Sequence, residues 1–147
     1  MNQAARGWGE FAVGEVVERP FTVTESDMAA FLALSGDDSR SHVDEAFCRA
    51  HGFAGRVVYG GLIAARLSGL LGTALPGALG LSNTWTLNFH SPLHVREAAV
   101  LRGEVQHVSE GTRTLKLGFR VTVVREDGSP RLVADGTVRT SVLAERP

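Results

Sequence analysis

Between Tyr59 and Leu75 the chain reads Tyr-Gly-Gly-Leu-Ile-Ala-Ala-Arg-Leu-Ser-Gly-Leu-Leu-Gly-Thr-Ala-Leu, with Arg66 its one charged residue. Leu62, Ile63, Leu67, Leu70 and Leu71 spread over much of a helical circumference, and a helix apolar nearly all round is a buried one. Any fold open to this chain must therefore wrap the segment. Gly60, Gly61, Gly69 and Gly72 each cost about 0.8–1 kcal/mol of helix propensity, so close packing of the helix against a sheet is expected to compensate.

The wrapping material follows directly. After Pro76-Gly77 the pattern changes to strands over Leu81 to His90, Ala98 to Val108, Thr112 to Arg125 and Arg131 to Leu143. Ser91-Pro92, Glu110-Gly111 and Asp127-Gly128-Ser129-Pro130 separate them as turns. Leu115, Leu117, Phe119, Val121 and Val123 alternate with mostly polar positions, which assigns one face to the core. Upstream, Phe11 to Val23 is interrupted by Gly14 and Pro20 and reads as an irregular edge strand. A strand, a buried helix and four sequential strands predict an α+β fold in which a curved antiparallel sheet wraps a long central helix. At 147 residues, 44% of them hydrophobic, the chain suits one core, and a single domain over 1–147 is expected.

Fifteen Lys plus Arg balance sixteen Asp plus Glu for a formal net charge of -1. With no basic block, nucleic acid is not an expected partner. No run of about 18 apolar residues suggests a membrane span, and Met1 to Glu10 lacks the apolar stretch of a signal peptide, so a cytoplasmic protein is expected. Cys48, the one cysteine, is expected to pack on the buried side of a short helix. His51, His90, His94 and His107 have no Cys or carboxylate companions at metal-site spacing, and no metal is expected.

Thr24-Glu25-Ser26-Asp27 is a variant capping box. It opens a helix whose Met28, Phe31, Leu32 and Ser35 share a face and which should stop at Gly36. Asp37 to Ser41 is then expected to be loop, and Asp44 to Ala50 a second helix. Asp37 and His42 are candidate reacting groups, because a carboxylate and an imidazole converging on one water can take and return a proton, as hydration and dehydration require. Their spacing equally suits a turn in which Asp37 and Asp38 bond their own backbone and His42 caps the next helix.

Val23-Thr24-Glu25-Ser26-Asp27-Met28-Ala29-Ala30-Phe31-Leu32-Ala33-Leu34-Ser35-Gly36-Asp37, followed by His42-Val43-Asp44, resembles the start of the MaoC-like, (R)-specific enoyl-CoA hydratases, which have the hotdog fold. Gly52-Phe53-Ala54-Gly55-Arg56-Val57-Val58-Tyr59-Gly60-Gly61-Leu62 is similar to that family's entry into its central helix, and Leu70-Leu71-Gly72-Thr73-Ala74-Leu75-Pro76-Gly77 to its exit. The resemblance implies that Asp37 and His42, from a Gly-Asp-x-Asn-Pro-x-His motif, activate water, and that the Gly60 N–H polarises a thioester carbonyl. It implies an enoyl or 3-hydroxyacyl thioester of coenzyme A or of an acyl carrier protein as substrate. Tyr59, beside Gly60, is a candidate substrate contact, and so by its place two turns along the helix is Ser68, whose hydroxyl is equally suited to bond back to the carbonyl of the preceding turn. No cofactor is implied beyond the phosphopantetheine of the substrate itself, and a homodimer is. Ser39 stands where the family has Asn, Arg40 where it has Pro, Ser41 where it has an apolar residue and Tyr59 where His is common. Losing Pro should free the loop, and losing Asn removes a two-way hydrogen-bonding amide. Arg40 is open to a coenzyme A phosphate, to Asp38 or to solvent.

Two other readings stay open. Tyr59-Gly60-Gly61 also resembles the helix entry of hotdog thioesterases, which generally place an acidic residue on or near that helix; none lies between Gly60 and Leu75. A non-catalytic acyl-thioester-binding domain would keep the pocket without turnover.

Overall fold

The computed structural model describes residues 6–144. Strand β1 (Val16–Thr22) leads into α1 (Glu25–Ser35), α2 (Arg40–Val43), α3 (Glu45–Ala50) and α4 (Gly60–Thr73). Strands β2 (Gly80–Phe89), β3 (Ala98–Ser109), β4 (Thr114–Val124) and β5 (Pro130–Val142) follow. One antiparallel sheet in the order β1-β3-β4-β5-β2 takes up all five strands. β1 is an edge strand, in keeping with the Gly14 and Pro20 interruptions, and Gly14 turns the chain into it at φ 89.

The α1 cap forms as the sequence implies. Thr24 Oγ1 accepts from the Asp27 N–H, and the Asp27 carboxylate accepts from the Thr24 N–H at 2.9 Å. Gly36, at φ 71, closes the helix by donating its N–H to Leu32 O. Along β4 the odd positions Leu115 to Val123 are all buried. They meet Ile63, Leu67, Leu70 and Leu71 of α4, together with Leu101 and Val105 of β3, in one core. This is the α+β hotdog arrangement, a helix held in the concave face of a curled sheet.

Three expectations need correction. First, α4 is buried on one side only: Gly61, Ala65, Ser68, Gly69 and Gly72 are exposed, because the sheet covers a single face and the other carries side chains too small to demand cover. Second, its glycines serve different needs. A Cβ at Gly60 would come within 2.9 Å of the Phe89 ring of β2, and one at Gly61 would collide with the Phe31 ring of α1, whereas Gly69 and Gly72 face open space. Sheet packing therefore accounts for Gly60 alone. Third, Arg40 to Val43 is a helical turn and not loop, and Asp44, not His42, caps α3 by accepting from the Phe47 N–H at 2.8 Å.

Cys48 is fully buried, with Sγ 3.1 Å from Ser41 O. Among the described residues no helix is long and apolar enough to cross a membrane.

Candidate active site

The end of α1, the turn of α2 and the start of α4 meet at one place. Gly36 releases the chain from α1, and the next residue, Asp37, is held by Ser39: the Ser39 N–H donates to Asp37 Oδ1 at 3.1 Å and the Ser39 hydroxyl donates to the same oxygen. The Ser39 hydroxyl first, and its N–H second, hold the Asp37 carboxyl below the usual carboxylate range; the nearby His42 adds to the effect. Asp37 Oδ2 is left free to face His42.

The turn that carries His42 is made rigid by local contacts. Arg40 pairs with Asp44 at 2.7 Å, one helical turn on, and lies over the Phe47 ring at 4.4 Å. It does not pair with Asp38. The stiffness expected to vanish with proline is thus supplied by one turn of helix, in which the His42 N–H donates to Ser39 O at 2.8 Å.

His42 Nδ1 lies 2.7 Å from Val57 O. A carbonyl only accepts, so Nδ1 carries the proton, and Nε2 of the neutral ring presents its lone pair. That Nε2 is 3.9 Å from Asp37 Oδ2. The Val57 N–H in turn donates to Ser41 O at 2.8 Å, which stitches α2 to the segment entering α4. The His42 side chain is 17% exposed and that of Asp37 42%, so the pair sits at a surface opening and not in a sealed core.

Tyr59 is the N-cap of α4 and Gly60 its first residue, where a backbone N–H has no acceptor within the helix. Gly60 also lines a groove of about 440 Å³ with Val58, Ile63, Phe89, Ser91 and Pro92. Asp37 and His42 are not part of that lining; Tyr59, which touches both, connects them to Gly60. Four of the residues singled out from the sequence, Asp37, His42, Tyr59 and Gly60, are therefore neighbours. Ser68 is not: it is exposed on the outer side of α4, two turns from Gly60, and does not line the groove. Helical spacing places Ser68 in the same outward stripe as Gly61 and Ala65.

Three of the other four histidines have local partners. His90 Nε2 is 2.9 Å from Asp135, His94 Nδ1 is 3.4 Å from Glu97, and the His51 ring packs on Phe47. Among the described residues no three His, Cys, Asp or Glu are grouped to hold a metal.

Ser39, noted in the sequence only as a departure from the family's Asn, together with the Val57 carbonyl, Phe31 and Phe89, also adjoins the site. Only Ser39 carried a usable signal, since Asp followed two residues later by a serine is a side-chain-capped turn in waiting. Replacing Ser39 with Ala removes its hydroxyl donor, and the Asp37 carboxyl titration, followed by carbon NMR, is expected to move up toward the ordinary carboxylate range. The sign follows from the lowered starting point: less stabilisation of the charged form means protonation at higher pH.

The family model for the MaoC like domain matches residues 10–127. The chain belongs to the MaoC-like domain family. Similar curated proteins include a 3-hydroxybutyryl-CoA dehydratase of Methylorubrum extorquens, 27% identical over 133 residues that cover 90% of this chain and 80% of that one. An (R)-specific enoyl-CoA hydratase of Aeromonas caviae is 34% identical over 96 residues, covering 65% of this chain and 72% of the relative. The solved (R)-hydratase from A. caviae, described as involved in PHA biosynthesis, superposes with a TM-score of 0.83 at 28% identity, covering 92% of this chain and 99% of that one. The match to the MaoC-like hydratase/dehydratase family and the hotdog sheet agree.

Proposed function

We propose that this MaoC-like protein adds water to enoyl-coenzyme A thioesters, and in reverse dehydrates 3-hydroxyacyl thioesters, with Asp37 and His42 holding the water. The observation that carries this reading is the 3.9 Å separation of His42 Nε2 and Asp37 Oδ2 with His42 Nδ1 committed to Val57 O. Two acceptors at that distance do not bond to each other, but one water donating to both would sit about 2.8 Å from each. His42 Nε2 takes the proton as the water oxygen attacks the β-carbon, and the same pair returns a proton to the α-carbon. Negative charge that develops on the thioester oxygen meets the Gly60 N–H at the positive end of α4. The addition is redox-neutral and draws on nothing beyond the substrate and its pantetheine arm, so no separate cofactor is needed.

The names of the relatives favour coenzyme A as the carrier; an acyl carrier protein would offer the same phosphopantetheine arm and is the alternative donor. A thioesterase reading is weaker. α4 carries no carboxylate, and its one charge, Arg66, is paired with Asp27 at 3.0 Å. Incubation of the protein with crotonyl-coenzyme A tests the proposal. Loss of the conjugated enoyl-thioester absorbance with no release of free thiol is the expected result; loss matched by an equal release of free thiol identifies a thioesterase, and binding with neither identifies a non-catalytic domain.

A homodimer in the cytoplasm is part of the same proposal. Among the described residues strand β2 pairs with β5 on one side only, is exposed over most of its length and shows Leu81 and Phe89 at 55% and 56% exposure. An open edge with apolar side chains is a template for strand pairing. Sedimentation at micromolar concentration is expected to give a dimer, and a monomer would count against it.

A further inference from the structure

Tyr59 is 2% exposed, although it carries a hydroxyl. A buried phenol needs a partner, and this one donates to the backbone carbonyl of Asp37 at 2.8 Å. Its ring lies 4.1 Å from the His42 ring, inclined by 33°, and on another side 4.8 Å from Phe31. Its own backbone is the N-cap from which Gly60 follows. One residue thus touches the carboxylate segment and the imidazole, and adjoins the helix-start amide.

We propose that Tyr59 is a positioning residue that sets the separation of Asp37 and His42, with its hydroxyl bonded to the loop backbone and not to substrate. This rests on the hydratase reading and replaces the expectation that Tyr59 contacts the acyl thioester.

The need for such a residue follows from what the other contacts leave undetermined. Ser39 holds the Asp37 carboxylate and accepts from the His42 N–H, but these bonds lie within residues 37–42 and leave the Asp37 end of that stretch unattached to α4. The His42 ring is tethered to Val57 O by a single hydrogen bond, about which it can pivot. The Tyr59 hydroxyl ties down the first freedom, and the Tyr59 ring face restricts the second. Burial pushes the Tyr59 phenol above its usual range, and the Asp37 charge adds to this, so the hydroxyl stays protonated and able to donate. A misplacement of about 1 Å between reacting groups can cost about 100-fold in rate, which is the leverage a positioning residue has.

Tyr59→Phe keeps the ring and removes only the hydroxyl; Tyr59→Leu removes both. With an enoyl thioester, Tyr59→Phe is expected to lower kcat about tenfold with KM within about twofold of wild type, and Tyr59→Leu to lower kcat about 100-fold. NMR of the His42 ring protons should show a ring-current shift that survives in the Phe variant and is lost in the Leu variant. A raised KM with kcat retained would assign Tyr59 to substrate contact and overturn the proposal. Unchanged kcat in both variants would overturn it too, as would a Phe variant that no longer unfolds cooperatively, since the residue would then be holding the domain and not the site. If the wild-type protein hydrates no enoyl thioester, the hydratase reading itself fails, and the His42 ring-current shift still reports whether the packing is as described.

Discussion

Replacing His42 with Ala is expected to lower kcat for enoyl-coenzyme A hydration by about 10²–10⁴-fold, the range associated with loss of a positioned general acid-base group, while KM changes little. The imidazole Nε2 is the group that takes the proton of the attacking water in the proposed mechanism, and among the described residues no other side-chain base is paired with Asp37. Asp37→Asn should be about as damaging for a different reason. The carboxamide would keep an acceptor for the Ser39 donors and turn its NH₂ toward His42 Nε2. A donor aimed at that lone pair competes with the water that both groups should hold. Because the two residues act on one water, the double variant is expected to lose little more than either single one. Initial rates with crotonyl-coenzyme A, alongside circular dichroism to check folding, provide the measurement. Undiminished hydration in both variants would reject the assignment of this pair.

Gly136→Ala is expected to destabilise the domain by about 3 kcal/mol, the largest stability effect among the glycines. A Cβ at Gly136 would fall on the backbone carbonyl oxygen of Thr86 and within 2.9 Å of the Phe119 ring. A side chain can rotate away from such a clash, but a paired strand's carbonyl can move only if the ladder moves. Gly136 faces Leu87 where β5 pairs with β2, so relief means pushing β2 outward, and with it Phe89, which lines the groove beside Gly60. Urea unfolding of the Ala variant checks the loss, with Gly69→Ala as the control, since a methyl group there meets open space and replaces a poor helix former with the best. A Gly136 variant as stable as the control would show that the β2–β5 pairing yields more easily than its geometry implies.

Both expectations concern residues whose importance was unevenly visible in the sequence. Asp37 and His42 stood out by residue type and by their resemblance to a known motif, but spacing alone equally suited a turn followed by a capped helix. Gly136 carried no signal, because which strand lies over a glycine depends on sheet order. The expected loop between Asp37 and Ser41 turns helical at Arg40, where Arg40 finds Asp44 four residues on and Phe47 beneath it, a local pattern obscured by its place in a motif that usually holds proline. The expected all-round burial of α4 fails for a related reason. Periodicity counts apolar residues, but Gly61, Ala65, Gly69 and Gly72 add so little apolar surface that leaving them uncovered costs little.

Features that arise from neighbours in the chain were legible without the fold. These are the Thr24 to Asp27 capping box, the stop at Gly36, the alternation that puts Leu115 to Val123 inside, and the turns that separate four strands. Each is settled within a few residues by hydrogen bonding or by the period of a helix or strand. The arrangement around Asp37 and His42 depends instead on residues far apart in the chain. The tautomer of His42 is set by a carbonyl 15 residues away, and the Asp37 backbone is held by a hydroxyl 22 residues away. A backbone carbonyl has no side-chain identity to read, so its role appears only when folding brings it to the imidazole.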